Sequence, residues 1–225
     1  MTTPATMERL REMGLTPVWR SRTNATSAER PVVTRTSVIA TLESDALIVH
    51  IAGCTACGLC RTRKKTVPGV GAETAQWMVV GEGPGADEDA LGEPFVGPAG
   101  RLLDNMLKAI GLHRNTDTFI TNVIKCRPPG NRDPEPIEVA ECSPYLERQV
   151  ELLRPKLIVA LGKFAALTLL DTEATVSSLR GRVHDYRGIP LIVTYHPAYL
   201  LRNLSDKARV WEDLLLARRT FDALQ

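Results

Sequence analysis

The chain has 225 residues, of which 44% are hydrophobic, 24% charged and 5% aromatic, with a net charge of +2. That length suits one domain plus an appendage and buries a full core without disulfide staples, and the mixed composition excludes a wholly disordered chain. The balanced charge does not by itself announce a nucleic-acid partner. Apolar runs such as Leu157–Leu161 fall far short of the roughly 20 residues a bilayer helix needs, and Glu8, Arg9, Arg11 and Glu12 replace an apolar leader, so a cytoplasmic protein free of the membrane is expected.

Taken in chain order, the first predicted element is a short helix over Thr6–Met13, stopped by Gly14. Residues 16–44 are rich in Thr and Ser, with Pro17 and Pro31, and read as a linker; residues 38–51 suggest a strand. Residues 1–50 therefore form an N-terminal extension without an assigned role, and the globular pattern fills 51–225. Four short runs rich in Val and Ile predict strands: Trp77–Val80, Phe119–Val123, Leu157–Leu161 and Leu191–Tyr195. Between them lie helical patterns. Leu102, Leu103, Met106, Leu107 and Ile110 form one stripe, closed by Gly111. A second runs from Ile137 to Leu153 and ends before Pro155; a third covers 163–170 and a fourth 206–223, with Ser205 or Asp206 as N-cap. Strands alternating with helices predict an α/β fold: an open, mainly parallel four-stranded sheet with helices on both faces.

The chemistry sits after the strands. The first runs into Gly81-Glu-Gly-Pro-Gly85, the second ends at Asn122, the third at Gly162 and the fourth at His196-Pro197. Ligands of open α/β sheets bind beyond the carboxyl ends of the strands, so these residues are expected to converge there. The Gly-rich loop departs from a dinucleotide fingerprint at Ala86, and Asp87, Glu88 and Asp89 would repel a pyrophosphate; a neutral polar ligand suits it better. Asn122 carries an amide that both donates and accepts toward a base edge. Charges cluster despite the balance. Arg61, Arg63, Lys64 and Lys65 form one basic run, Lys125, Arg127 and Arg132 a second, and Glu82, Asp87, Glu88, Asp89 and Glu93 an acidic run between them, each a solvated face on the plainest reading.

Five cysteines stand at 54, 57, 60, 126 and 142. Structural disulfides are not expected in the cytoplasm. Cys54-x-x-Cys57-x-x-Cys60 begins like a ferredoxin run, but Lys64-Lys65 stand beyond it instead of a further cysteine and Pro. A C-x-x-C with Cys126 and Cys142 supplies four thiolates, which zinc and a four-iron cluster both accept.

Residues 54–204 resemble family 4 of the uracil-DNA glycosylases, the iron–sulfur branch. The likeness rests on Cys57-Gly-Leu-Cys60, Gly81-Glu-Gly-Pro-Gly-Ala-Asp-Glu-Asp89, Gly92-Glu-Pro-Phe-Val-Gly-Pro-Ala-Gly100, Thr121-Asn-Val-Ile-Lys-Cys-Arg-Pro-Pro129, Cys142 and His196-Pro-Ala-Tyr-Leu-Leu-Arg202. The resemblance implies a DNA-repair hydrolase that flips uracil out of single- or double-stranded DNA and cleaves its N-glycosidic bond, working as a monomer. It implies a [4Fe-4S] cluster on Cys57, Cys60, Cys126 and Cys142, with Cys54 as an extra thiol. It implies that Phe95 stacks on the base and Asn122 reads its edge, that His196 lies near uracil O2, and that Gly81, Glu82, Gly83 and Glu88 belong to the loop lining base and sugar. Leu200 and Leu201 fall where a wedge side chain enters the duplex. Other families of the superfamily carry Asp or Asn where this chain has Gly83, so the attacking water is left to Glu82, to Glu88 or to no residue, with His196 the main catalytic contributor and Glu82 second. Two other readings stand beside it: a uracil-DNA binder that does not turn over, or cross-links, and an iron–sulfur electron carrier.

Overall fold

The computed structural model describes residues 4–15 and 34–225. Two compact units divide the chain, Met1–Thr34 and Arg35–Gln225. In the first, α1 (Pro4–Glu12) matches the expected helix and stops where Gly14 turns at φ 70°. Most of the linker expected over 16–44 lies outside the described residues.

The second unit opens with α2 (Arg35–Ile39) and α3 (Ser44–Ala52), which correct the strand expected over 38–51. Val and Ile enrichment suggests a strand, but Leu47 and Ile51 recur at helical spacing and pack with Ile39 against Tyr145. The sheet strands are β1 (Val70–Gly71), β2 (Trp77–Gly81), β3 (Thr118–Asn122), β4 (Leu157–Leu161), β5 (Val183–Tyr186) and β6 (Ile189–Thr194). Their order is β1-β3-β2-β4-β6-β5. The expected four strands form its parallel centre, β3-β2-β4-β6. The sheet has six strands rather than four, because β1 and β5 add antiparallel edges. Both edges are short and half-exposed, so neither carries the continuous apolar run of a buried strand.

The helices between are α4 (Ala86–Leu91), α5 (Pro98–Ala109), α6 (Pro136–Leu153), α7 (Lys163–Leu170), α8 (Val176–Leu179), α9 (Pro197–Leu200) and α10 (Lys207–Asp222). Alternate strand residues face opposite layers. Trp77, Val79, Leu157, Val159 and Ile192 pack with α5 and α10; Met78, Val80, Ile158, Ala160 and Val193 pack with α6 and α7. Among the described residues no helix is long and apolar enough to cross a membrane. The chain leaves β2 for β3 on one side and returns to β4 on the other, so the crevice opens beyond the carboxyl ends of the central strands.

Candidate active site

A cavity of about 470 Å³ lies at that switch point. Glu82 and Gly83 from the loop after β2, Phe95 from the loop before α5, Asn122 from the end of β3 and His196 from the end of β6 all line it. Gly81 stands behind them. A side chain there would collide with Asn122 Oδ1 and approach the Phe95 ring at 2.6 Å, so only glycine lets the reader and the ring sit this close to β2.

Asn122 is 2% exposed and its Oδ1 has no hydrogen-bond partner among the described residues. A buried amide oxygen without a donor is costly, by about 1–3 kcal/mol, and is met by a ligand N–H. His196 lies face to face with Phe95, ring centroids 5.4 Å apart. Its Nδ1 accepts from the Ala198 amide at 3.2 Å, which leaves the ring proton on Nε2. Burial, aided by the nearby Arg202 charge, pushes its pKa down to about 4, so the imidazole is neutral at pH 7. Glu82 shifts the other way. Burial, with the Asp133 carboxylate near it, raises its pKa to about 7, against a smaller lowering by Lys163.

Glu88 lines the cavity, but its Oε1 already accepts from the amides of Val96 and Gly97 at 3.1 and 3.3 Å. Through that oxygen it braces the loop that carries Phe95. The acidic run is thus no solvated face as a whole: Asp89 is 2% exposed and accepts from the Lys64 amide. Sequence reasoning does not place Arg132 and Asp133 at the site, yet both line the opposite wall. The rule that ligands sit beyond strand ends extends to this loop after β3, and Arg132 anchors it by donating two hydrogen bonds to the Glu138 carboxylate at 2.6 and 2.9 Å.

Two further expectations are corrected. Leu200 is 1% exposed and packs in the core beneath α9, so it is no wedge; Leu201 beside it is 45% exposed. Lys125 is not part of a solvated basic face. It is 1% exposed, and its ammonium donates to Thr121 Oγ1, the Asn122 carbonyl and Gln149 Oε1, each at 2.7 Å. Burial pushes its pKa down to about 7.

Cys57, Cys60, Cys126 and Cys142 line one small cavity together with Cys54. The donor set is all thiol; Cys126 Sγ accepts from Arg63 Nη1 at 3.1 Å, but burial outweighs that contact and pushes the thiol pKa up to about 12. Among the described residues no three His, Cys, Asp or Glu side chains gather closely enough to hold one metal ion. The thiols surround a space rather than meeting at a point. A four-iron cluster, whose thiolates bind separate irons, fits that donor set, and so does a zinc ion, which also accepts four thiolates.

Residues 68–215 match the family model of the uracil DNA glycosylase superfamily. The chain belongs to that superfamily. Within it the chain is 50% identical over 165 residues to a type-4 uracil-DNA glycosylase of Archaeoglobus fulgidus, covering 70% of this chain and 82% of the relative. It is 44% identical over 169 residues to one of Thermotoga maritima, covering 73% of this chain and 88% of the relative. A type-5 uracil-DNA glycosylase of Pyrobaculum aerophilum is 32% identical over 154 residues, covering 60% of this chain and 67% of that one. The glycosylase fold thus accounts for the strand-end cavity, and the family match spans all of its lining residues.

Proposed function

We propose that the protein is a monofunctional uracil-DNA glycosylase of base-excision repair, which hydrolyses the N-glycosidic bond and leaves an abasic site. The observation that carries this reading is the buried, unpartnered Oδ1 of Asn122 at the bottom of the strand-end cavity.

A duplex hides C1′ of its nucleotides, so the base must leave the stack at a cost of a few kcal/mol. Phe95 offers a π face that offsets part of that cost. Asn122 Oδ1 accepts from uracil N3–H, and its amide nitrogen donates to O4. Cytosine reverses both groups and leaves Oδ1 facing an acceptor, a mismatch worth about 1–3 kcal/mol. As the glycosidic bond breaks, negative charge collects on uracil O2 and positive charge on the sugar. Neutral His196 donates its Nε2 proton toward O2 and stabilises the leaving anion in the manner of an oxyanion hole. Glu82, with its pKa raised to about 7, is poised to take a proton from the attacking water.

Cys57, Cys60, Cys126 and Cys142 would hold a [4Fe-4S] cluster, which supplies a cross-link between the segment before β1, the loop after β3 and α6. Hydrolysis itself transfers no electron. The exposed Leu201 is the remaining wedge residue, and the exposed Arg61, Lys64 and Lys65 provide phosphate contacts. The catalytic domain begins at Arg35 rather than at 51, since α2 and α3 belong to the compact unit Arg35–Gln225. The protein is taken to work as a monomer, and five free thiols suit the reducing cytoplasm.

The test incubates the protein with single- and double-stranded oligonucleotides carrying one uracil. Released free uracil and an alkali-labile strand break at that position are expected. A shifted, unreleased protein–DNA band without free uracil would instead identify a binder or cross-linker.

A further inference from the structure

Phe95 has φ 55°, a left-handed backbone that a bulky aromatic residue rarely adopts. Something must hold it there. Glu88 grips the following amides of Val96 and Gly97. On the preceding side stands Arg114, in the turn between α5 and β3, which does not line the cavity. Its side chain is only 14% exposed. Nη1 donates to the Phe95 carbonyl at 2.9 Å, and Nη2 donates to the Pro94 carbonyl. One carboxylate aims the guanidinium, Asp104 of α5, which accepts from Nη1 at 3.0 Å; Glu93 lies 3.5 Å from Nε without a hydrogen bond to it. The first turn of α5 closes the same carbonyl from the other side, since a side chain at Gly100 would collide with the Phe95 carbonyl oxygen.

We propose that Arg114 is a positioning residue of the base pocket: its two-pronged grip on the Pro94 and Phe95 carbonyls holds the Phe95 ring in its left-handed setting against His196. The inference rests on the reading of Phe95 as the stacking platform. Two parallel donors on successive carbonyls need a planar fork, which Arg has and Lys lacks. Without the grip the backbone relaxes toward negative φ, and the ring leaves the plane the flipped base needs. A displacement of about 1 Å costs on the order of a hundredfold in rate.

A double-mutant cycle tests this. Uracil excision and thermal stability are measured for wild type, Arg114→Met, Phe95→Ala and the double variant. Arg114→Met is expected to lower kcat by about ten- to a hundredfold, yet by less than about threefold when Phe95 is already Ala, because contacting partners are non-additive. An equal loss in both backgrounds would mean that Arg114 acts by general stability and would overturn the proposal, as would wild-type kcat in Arg114→Met. If Arg114→Met does not fold, Arg114→Lys carries the same cycle with a partial loss and the same required coupling. A Phe95→Ala variant that excises uracil at the wild-type rate would defeat the stacking reading itself, a result visible before the cycle is closed.

Discussion

His196 and Glu82 face one cavity with protonation properties displaced in opposite directions, and the roles proposed for them follow that displacement. His196, lowered to about 4, is neutral at pH 7, where it can donate a hydrogen bond but carries no positive charge. Glu82, raised to about 7, gains its charge as pH rises through neutrality. If the carboxylate is the base, kcat/KM rises with pH through about 7 and levels off above it. Glu82→Gln should lower the plateau and abolish that rise. Asp133→Asn removes the neighbouring negative charge and should move the midpoint to lower pH; a pH–rate profile unmoved in both variants would remove Glu82 from the mechanism. Asn122→Asp tests the reader. It keeps the shape and replaces a donor by an acceptor, which repels uracil O4 and accepts from the cytosine amino group. Uracil excision should fall by about one to two decades, equivalent to about 1–3 kcal/mol, while relative activity on cytosine rises. Phe95→Ala should weaken all bases alike, since stacking ignores the hydrogen-bonding edge. Wild-type uracil excision by Asn122→Asp would sink the assignment.

Among the elements, the central strands are legible in the sequence and the edges are not, for one physical reason. A strand covered on both faces is apolar at successive positions, so β2, β4 and β6 stand out, whereas β1 and β5 meet solvent and carry ordinary polar composition. The strand-end rule then brings Gly81, Asn122 and His196 together without any knowledge of side-chain contacts. It does not show direction inside the fold. By residue type alone Lys125 is a cation for phosphate and Leu200 an apolar wedge, yet the turn after β3 and the first turn of α9 point both inward. Arg63 in the first basic run also turns inward, to Cys126 Sγ and the Ala52 carbonyl. Close approach of β2 to the pocket is likewise invisible in sequence until the Gly81 neighbours are seen. Gly81→Ala places a methyl against both Asn122 Oδ1 and Phe95. The ring and amide must shift, so kcat/KM should fall by about a hundredfold. Excision near the wild-type rate would show that the pocket tolerates what its geometry forbids.

At the scale of the whole molecule, the proposed phosphate contacts and the thiol site share one stretch of chain but use different side chains of it. Arg61, Lys64 and Lys65 are exposed, while Arg63 is committed to Cys126. Replacing the three exposed residues with Ala should flatten the slope of log affinity against log salt by about 0.7–0.9 for each phosphate no longer neutralised, without altering metal content. An unchanged slope would place the DNA path elsewhere. Arg63→Ala should instead disturb the thiol site. That site joins parts of the chain far apart in sequence: Cys57 and Cys60 about a 3-10 turn, Cys126 after β3, and Cys142 on α6. A group bound to all four thiolates stabilises the native state alone, so its removal must lower the melting temperature. Anaerobically purified protein should be yellow-brown and contain about four irons with matching sulfide. Cys142→Ser should lose the colour and melt lower. Cys54→Ser should keep it, because the proposed ligand set of Cys57, Cys60, Cys126 and Cys142 is complete without Cys54. A colourless anaerobic preparation holding one zinc, or colour that survives Cys142→Ser but not Cys54→Ser, would overturn both the cluster and the choice of ligands.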